Sequence, residues 1–369
     1  MMNNRAALVL VFAGLSSPLV QADDTTRTIA AQPKIINGFT ATETQFPWQV
    51  GLMEGSTDLY QVQFCSGTLI DARWVVTAAH CVKSRVNTPT SNLHILAGVS
   101  NLLDEADAQV IAVEQIIIHP QYDDSPQSAN TNNHDIALLR LRTPVDFIAC
   151  GQRCGKVDWL SSQTEANSIV RGTAALISGW GSTVDCQSNP QRCTDLRNSS
   201  AGSLLLLPAQ LQWARVNIDG CLSGTSRHLA EDITPNMLCA AAPVTQQDSC
   251  QGDSGGGMTV TAADGRGQVL AGITSWGRGC AQEGFPAVYT RVARYDQWIS
   301  NRIAGRPSSA DRQVSDVDNS AFWRDLNPPR VVNNTASSSG GGGSLGLWGL
   351  GLLAGLGLLR QQRAKKHAE

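Results

Sequence analysis

Asp248-Ser249-Cys250-Gln251-Gly252-Asp253-Ser254-Gly255-Gly256-Gly257 places one hydroxyl, that of Ser254, among glycines and carboxylates. A serine alcohol is a weak nucleophile near neutral pH. To attack a carbonyl it needs a neighbouring base, and hydrogen-bond donors for the oxyanion that forms. Glycines on both sides allow close backbone approach and conformations with positive φ. Standing alone, such a composition reads as a turn. The chemistry depends on whether the rest of the chain supplies a base and a group to orient it.

Two upstream blocks do. Thr77-Ala78-Ala79-His80-Cys81 offers an imidazole, and Asn133-His134-Asp135-Ile136-Ala137-Leu138-Leu139 offers a carboxylate. The chain order His, Asp, Ser is one of the orders in which catalytic triads occur. With the three blocks in register, the chain from about Ile35 to Ile303 resembles the trypsin-like serine proteases of the chymotrypsin family. The resemblance implies an all-β fold of two six-stranded antiparallel β-barrels with a C-terminal helix, the helix falling at Tyr295-Asp296-Gln297-Trp298-Ile299. In that family's mechanism Ser254 attacks the scissile carbonyl and forms an acyl-enzyme. His80 takes the proton and later delivers it to the leaving amine, and Asp135 holds the imidazole tautomer. The backbone N–H groups of Gly252 and Ser254 are the implied oxyanion hole.

The same resemblance gives a specificity pocket for protein or peptide substrates. Asp248, six residues before the nucleophile, matches the pocket base, where a carboxylate selects Lys or Arg by charge-assisted hydrogen bonds. Ser249 lies beside it. Ser275-Trp276-Gly277 matches the pocket wall, which pairs with substrate backbone as an added strand. Ala287 stands where relatives usually have glycine, and its methyl narrows the slot.

At 369 residues the chain has room for two barrels and appended segments at both ends. A net charge of −3 gives no basic field, which argues against a nucleic-acid partner. The ten cysteines show no zinc spacing and read as disulfides. The resemblance pairs Cys65 with Cys81, Cys221 with Cys239, and Cys250 with Cys280. Cys150 and Cys154 are spaced for a small local bridge. Cys186 and Cys193 fall in an inserted polar stretch, Ser182 to about Ser203, which reads as a surface loop closed by its own disulfide, with Arg192 inside and Arg197 outside it. Two bridges common in relatives are missing, and Ala175 and Val260 occupy the positions of one of them. The family's calcium loop would lie between Gly98 and Gln109, but Val99 and Ala108 take its outer ligand positions and offer no oxygen. No metal and no cofactor is therefore expected, and Asp104, Glu105 and Asp107 read as a solvated acidic turn. His94, His119, His134 and His228 read as loop residues.

Residues 1–22, with Arg5, an apolar run and Val20-Gln21-Ala22, have the make-up of a signal peptide. Residues 23–34 form a short polar propeptide ending in Lys34, directly before Ile35-Ile36-Asn37-Gly38. In the family a cut at such a junction frees an α-ammonium, which pairs with the carboxylate preceding the nucleophile, here Asp253. The protease domain spans 35–303 and a polar linker 304–336. Residues 337–369 combine a Ser/Gly run, an apolar stretch from Leu345 to Leu359 and a basic end. This tail resembles the GlyGly-CTERM sorting signals of Gram-negative bacteria. The resemblance implies handling by type II secretion machinery, removal of the apolar helix by a rhomboid-type protease, and membrane contact only before that cut. The expected product is a monomer exported through the periplasm to the cell surface or the medium. The alternative of another class is a catalytically silent, surface-displayed binding module on the same fold. Such modules usually lack a member of the triad, and all three are present here.

Overall fold

Short runs rich in valine and isoleucine, broken by Gly, Asn, Asp and Ser, favour strands joined by tight turns over helices. The computed structural model describes residues 35–306, apart from 56–57, 87–91, 125–131, 187, 199–205, 223–225 and 243–246, together with 320–327. The segments read as signal peptide, propeptide and sorting tail lie outside the described residues.

Strands β2 (Gln49–Glu54), β3 (Gln63–Asp71), β4 (Trp74–Thr77), β5 (Leu93–Ala97), β6 (Gln109–Ile118) and β7 (Ala137–Leu141) form a closed antiparallel barrel in the order β2-β3-β4-β7-β6-β5. Its interior is filled by Leu52, Leu69, Val75, Leu139 and neighbours, all fully buried. Each such side chain contributes about 1.5–3 kcal/mol of burial. Strand β4 reads Trp-Val-Val-Thr without alternation because both its faces are covered. A strand buried on two sides shows a continuous apolar run.

The second barrel contains β8 (Ala174–Gly179), β9 (Gln212–Asp219), β10 (Met237–Ala241), β11 (Gly257–Thr261), β12 (Gln268–Trp276) and β13 (Ala287–Arg291). It runs β9-β10-β13-β12-β11-β8 and closes where β8 pairs back onto β9; the two-residue β1 (Phe39–Thr40) adds to the outer side of β9. Along β9, Gln212, Ala214, Val216 and Ile218 are buried while the residues between them are less so, the two-residue period of a strand with one wet face. Ala175 and Val260, which stand where relatives carry a bridge, are direct partners across β8 and β11.

The helix Asp296–Ile303 follows β13 and buries Trp298 and Ile299 in the first barrel's core cluster. It thereby ties the end of one barrel to the flank of the other. The stretch 304–336, read as a linker, holds a second helix, Ser320–Leu326. Leu326 joins the second barrel's core, and Phe322 lies 4.7 Å beneath the Arg291 guanidinium. Arg291 is itself buried in a two-pronged pair with Glu165, at 2.7 and 2.6 Å. A polar average composition concealed these few apolar anchors.

Candidate active site

The helix Ala79–Val82 starts as β4 ends, and it carries His80 into the region between the barrels. The Cys65–Cys81 disulfide fastens this turn to β3. His80 Nδ1 lies 2.7 Å from Asp135 Oδ2, and the His80 backbone N–H donates to Asp135 Oδ1 at 2.9 Å. Ser275 Oγ donates to Asp135 Oδ2 at 2.6 Å, and Thr290 Oγ1 donates to the Asp135 carbonyl at 2.7 Å. Asp135 is wholly buried, so this donor set is what makes a carboxylate tolerable there. With three donors aimed at it the carboxylate acts as an acceptor, so the His80 proton resides on Nδ1 and Nε2 keeps its lone pair. Burial pulls the His80 pKa down, but the charge of Asp135 and its hydrogen bond more than offset this and hold it above the ordinary value. That is the electrostatic setting of a general base that must accept a proton in a partly dry site.

Ser254 reaches this region on the loop before β11. Its carbonyl accepts from Ser66 N at 2.8 Å, and Gly255 N–H donates to Thr274 O at 2.9 Å, so the loop is held by β3 and β12 together. Gly255 has φ 81°, and a Cβ there would collide with Thr77 Oγ1 and the Ser66 carbonyl. Gly252 has φ 101° and would set a Cβ 3.0 Å from the Gly181 Cα. Only glycine fits either place without strain. Among the described residues no hydrogen bond joins Ser254 Oγ to His80 Nε2, and the N–H groups of Gly252 and Ser254 donate to no protein acceptor. Catalytic contacts commonly tighten only around substrate, and two idle donors beside a serine hydroxyl are what an oxyanion needs.

A cavity of about 200 Å³ opens beside Ser254 and is lined by Ser249, Gln251, Ser275, Trp276, Gly277 and Ala287. Asp248 does not line this slot. It lines a larger cavity, of about 330 Å³, together with Asp219, Glu283 and Pro286. Its Oδ2 accepts from Ala281 N at 2.8 Å, while Oδ1 is buried without a hydrogen-bond partner. Burial, above all, raises the Asp248 pKa to about 7. Ser249 Oγ lies 3.3 Å from the Tyr289 hydroxyl, and its side chain also hydrogen-bonds Asp248.

Asp253 is buried with Oδ1 accepting from Gly181 N and Oδ2 from Cys250 N, both at 2.8 Å. Among the described residues no cationic side chain pairs with it, and burial raises its pKa to about 6. Ile35 is fully buried in the second barrel's core cluster. Ile36 bridges Asp248, and the Asn37 carbonyl accepts from Gln247 Nε2 at 2.8 Å. The segment after Ile35 is therefore laid along the loop that bears Asp248 and Asp253. Lys34 lies outside the described residues.

All ten cysteines are paired, with Cys65–Cys81, Cys150–Cys154, Cys186–Cys193, Cys221–Cys239 and Cys250–Cys280 bonded. Five bridges suit a protein of an oxidising compartment. Asp107 of the acidic turn pairs with Arg153 at 2.9 Å while remaining mostly exposed. Of the four histidines read as loop residues, one needs correction. His94 sits in strand β5, and His119, His134 and His228, though outside strands, are buried. His119 stacks on His134 at 5.0 Å, and Tyr295 OH lies 3.2 Å from His134 Nδ1. Burial lowers these two to about 3 and about 4, so both are neutral packing groups beneath Asp135 and not competing bases. Sequence reading gave Ser275 to the pocket wall alone and missed its bond to Asp135. It also missed Thr290, for which no local motif exists.

Among the described residues no helix is long and apolar enough to cross a membrane, and the run 345–359 lies outside them. The family model for trypsin matches residues 35–299. Cationic trypsin-3 of Rattus norvegicus is 33% identical over 302 residues, covering 81% of this chain and 99% of that protein. Trypsin of Sus scrofa is 36% identical over 273 residues, covering 73% and 96%. Serine protease 1 of Rattus norvegicus is 36% identical over 297 residues, covering 80% and 97%. With two closed barrels, five disulfides and a match of this extent, the chain belongs to the trypsin family, a serine endopeptidase acting on proteins.

Proposed function

We propose that this chain is a secreted zymogen, activated by a cut between Lys34 and Ile35, that cleaves proteins after Lys or Arg through Ser254, His80 and Asp135. What carries the reading is one conjunction: a His80 ring fixed by a three-donor Asp135, next to a serine loop with two unused N–H groups. In this mechanism Nε2 of His80 takes the Ser254 proton as Oγ attacks, and Gly252 and Ser254 N–H groups hold the oxyanion. The leaving amine then receives the proton from His80, and water completes hydrolysis by the same route. A Lys or Arg side chain long enough to pass from the slot to the cavity that Asp248 lines would meet its unpartnered oxygen, which favours a basic residue before the cut. A buried acceptor left unmade is costly, and an ammonium or guanidinium relieves it. The tail 337–369 is proposed as a sorting signal used by type II secretion machinery and a rhomboid-type protease, which fits its glycine run, apolar stretch and basic end. Labelling the activated protein with a fluorophosphonate tests the core of the proposal. One adduct, mapped to Ser254 and prevented by prior denaturation, is the expected result; no adduct, or one on another serine, overturns it.

The slot also makes a prediction about its own selectivity. Ala287 lines it, and its neighbour Pro286 lines the cavity that Asp248 lines. Overfilling a tight site by one methyl costs on the order of 1–3 kcal/mol, and the wide planar guanidinium feels it more than the slim ammonium. Ala287→Gly is therefore expected to raise the Arg/Lys ratio of kcat/KM by about fivefold or more, a difference of about 1 kcal/mol. Matched peptides differing only in that residue provide the measurement, and an unchanged ratio means that Ala287 does not shape selectivity.

A further inference from the structure

The described part of the inserted stretch after β8, residues 182–186 and 188–198, is folded. The Cys186–Cys193 bond closes it, and Val184, Cys193 and Leu206 bury a small apolar cluster with Leu196 against them. From this base the helix Pro190–Asn198 rises, and its last turn carries Arg197. Ser188 Oγ accepts from Gln282 Nε2 at 2.6 Å, which ties the base of the insertion to the loop bordering the slot. Arg197 lines a cavity of about 270 Å³ with Tyr60, Phe64, Trp180, Gln251 and Gly252. Among the described residues it is the one charged group lining that cavity, and it forms no ion pair. Asp195, two residues earlier, is bonded to Gln191 Nε2.

This cavity and the slot share Gln251 in their linings, and the slot also takes in Ser254 and the cavity Gly252. A peptide bound in extended form puts side chains i and i+2 on the same face, about 6.6 Å apart. If the residue before the scissile bond fills the slot, the second residue after the bond faces the enzyme again, and the cavity with Arg197 is what it meets. We infer that Arg197, delivered by the disulfide-closed insertion, selects a carboxylate side chain at the second position after the cut. A guanidinium presents two parallel donors to a carboxylate, and the other guanidinium at these walls, Arg85, 4.1 Å over the Phe64 ring, is taken up by Glu54 at 2.8 Å. The inference rests on the protease reading proposed above.

An exposed ion pair is worth little, so the expected preference is modest, about two- to fivefold in kcat/KM for Glu over Gln at that position. The test uses the full activated protein and three quenched peptides, identical except for Glu, Gln or Lys at the second residue after the cut. The expected order is Glu, Gln, Lys. Arg197→Glu reverses it, Arg197→Lys keeps it, and raising salt to about 1 M, where charges are screened within about 3 Å, levels it in the wild type. A change of charge preference with salt is something that mere loss of packing does not produce. Equal rates on the three peptides, or an order unchanged in Arg197→Glu, overturn the inference alone. Failure of the wild type to cut any of them overturns the protease reading, and the inference falls with it.

Discussion

Ser254→Ala is expected to lower kcat for peptide hydrolysis by at least about 10⁴-fold while leaving the protein folded and able to bind substrate. The expectation rests on what the side chain does and does not touch. The Ser254 backbone is held through its carbonyl on Ser66 N, and its neighbour Gly255 is held by Thr274. The hydroxyl has no hydrogen-bond partner among the described residues, so removing it strands no buried group. Thermal midpoints within about 2 °C and KM within a few-fold should accompany the loss, since a surface or half-buried substitution away from structural bonds is usually worth less than about 0.5 kcal/mol. What remains after the loss is the part of catalysis that two N–H groups and substrate positioning supply without a nucleophile. A fall of less than tenfold would remove Ser254 from the mechanism. A large fall together with a lowered midpoint would point instead to a structural role for the hydroxyl.

The parts of this site that were legible in sequence are those whose chemistry is concentrated in a few adjacent residues. His80, Asp135 and Ser254 each sit in a short block with its own signature, and Gly252 and Gly255 are required by backbone angles that other residues resist. The barrels were legible for a related reason, since strands such as β9 alternate and strands such as β4 do not, and each pattern reports how many faces are covered. Tertiary contacts without a local signature were not legible. Ser275 reaches Asp135 across 140 positions, and Arg291 finds Glu165 across 126. The buried stack of His119 on His134 was hidden because histidine is common in wet loops, and nothing local says which imidazole will be covered by Tyr295 and Trp298. The helix Ser320–Leu326 was hidden by averaging, because three apolar anchors in a polar stretch carry its docking. Asp248 shows the same limit in reverse. Its position in the motif was plain, but the cavity it lines with Asp219, Glu283 and Pro286 is assembled from segments far apart in sequence.

Lys34→Gln is expected to leave the chain uncut and about 10²- to 10³-fold less active than the cleaved protein, because in the proposed activation the α-ammonium freed at Ile35 is the partner of Asp253. Removing one member of a buried charge pair costs about 3–5 kcal/mol, and here the loop that suffers is the one holding Gly252 and Ser254. Among the described residues, two backbone N–H groups, from Gly181 and Cys250, are the hydrogen-bond donors to the Asp253 carboxylate. A pH signature follows from its raised pKa. Burial lifts Asp253 from the ordinary 3.8 to about 6, so the folded uncut chain holds a proton that the unfolded chain releases. The stability this lends is fully present below about pH 4 and is lost as pH rises through about 6, amounting to about 3 kcal/mol. Asp248 titrates with the same sign, but it does so in both the cut and uncut forms, so it cancels in their difference. In the cut form an ammonium beside Asp253 keeps the carboxylate ionised and removes the loss. The gap in thermal midpoint between cut Ser254→Ala protein and its uncut precursor should therefore be small at pH 4 and widen by pH 7, and Asp253→Asn should abolish the widening. The same precursor should stay intact on storage and be cut before Ile35 when a trace of active enzyme is added, since a slot that accepts a basic residue accepts Lys34. A gap that does not change with pH would mean that Asp253 finds its countercharge elsewhere, and a precursor that matures without added enzyme would mean that its activation is not its own.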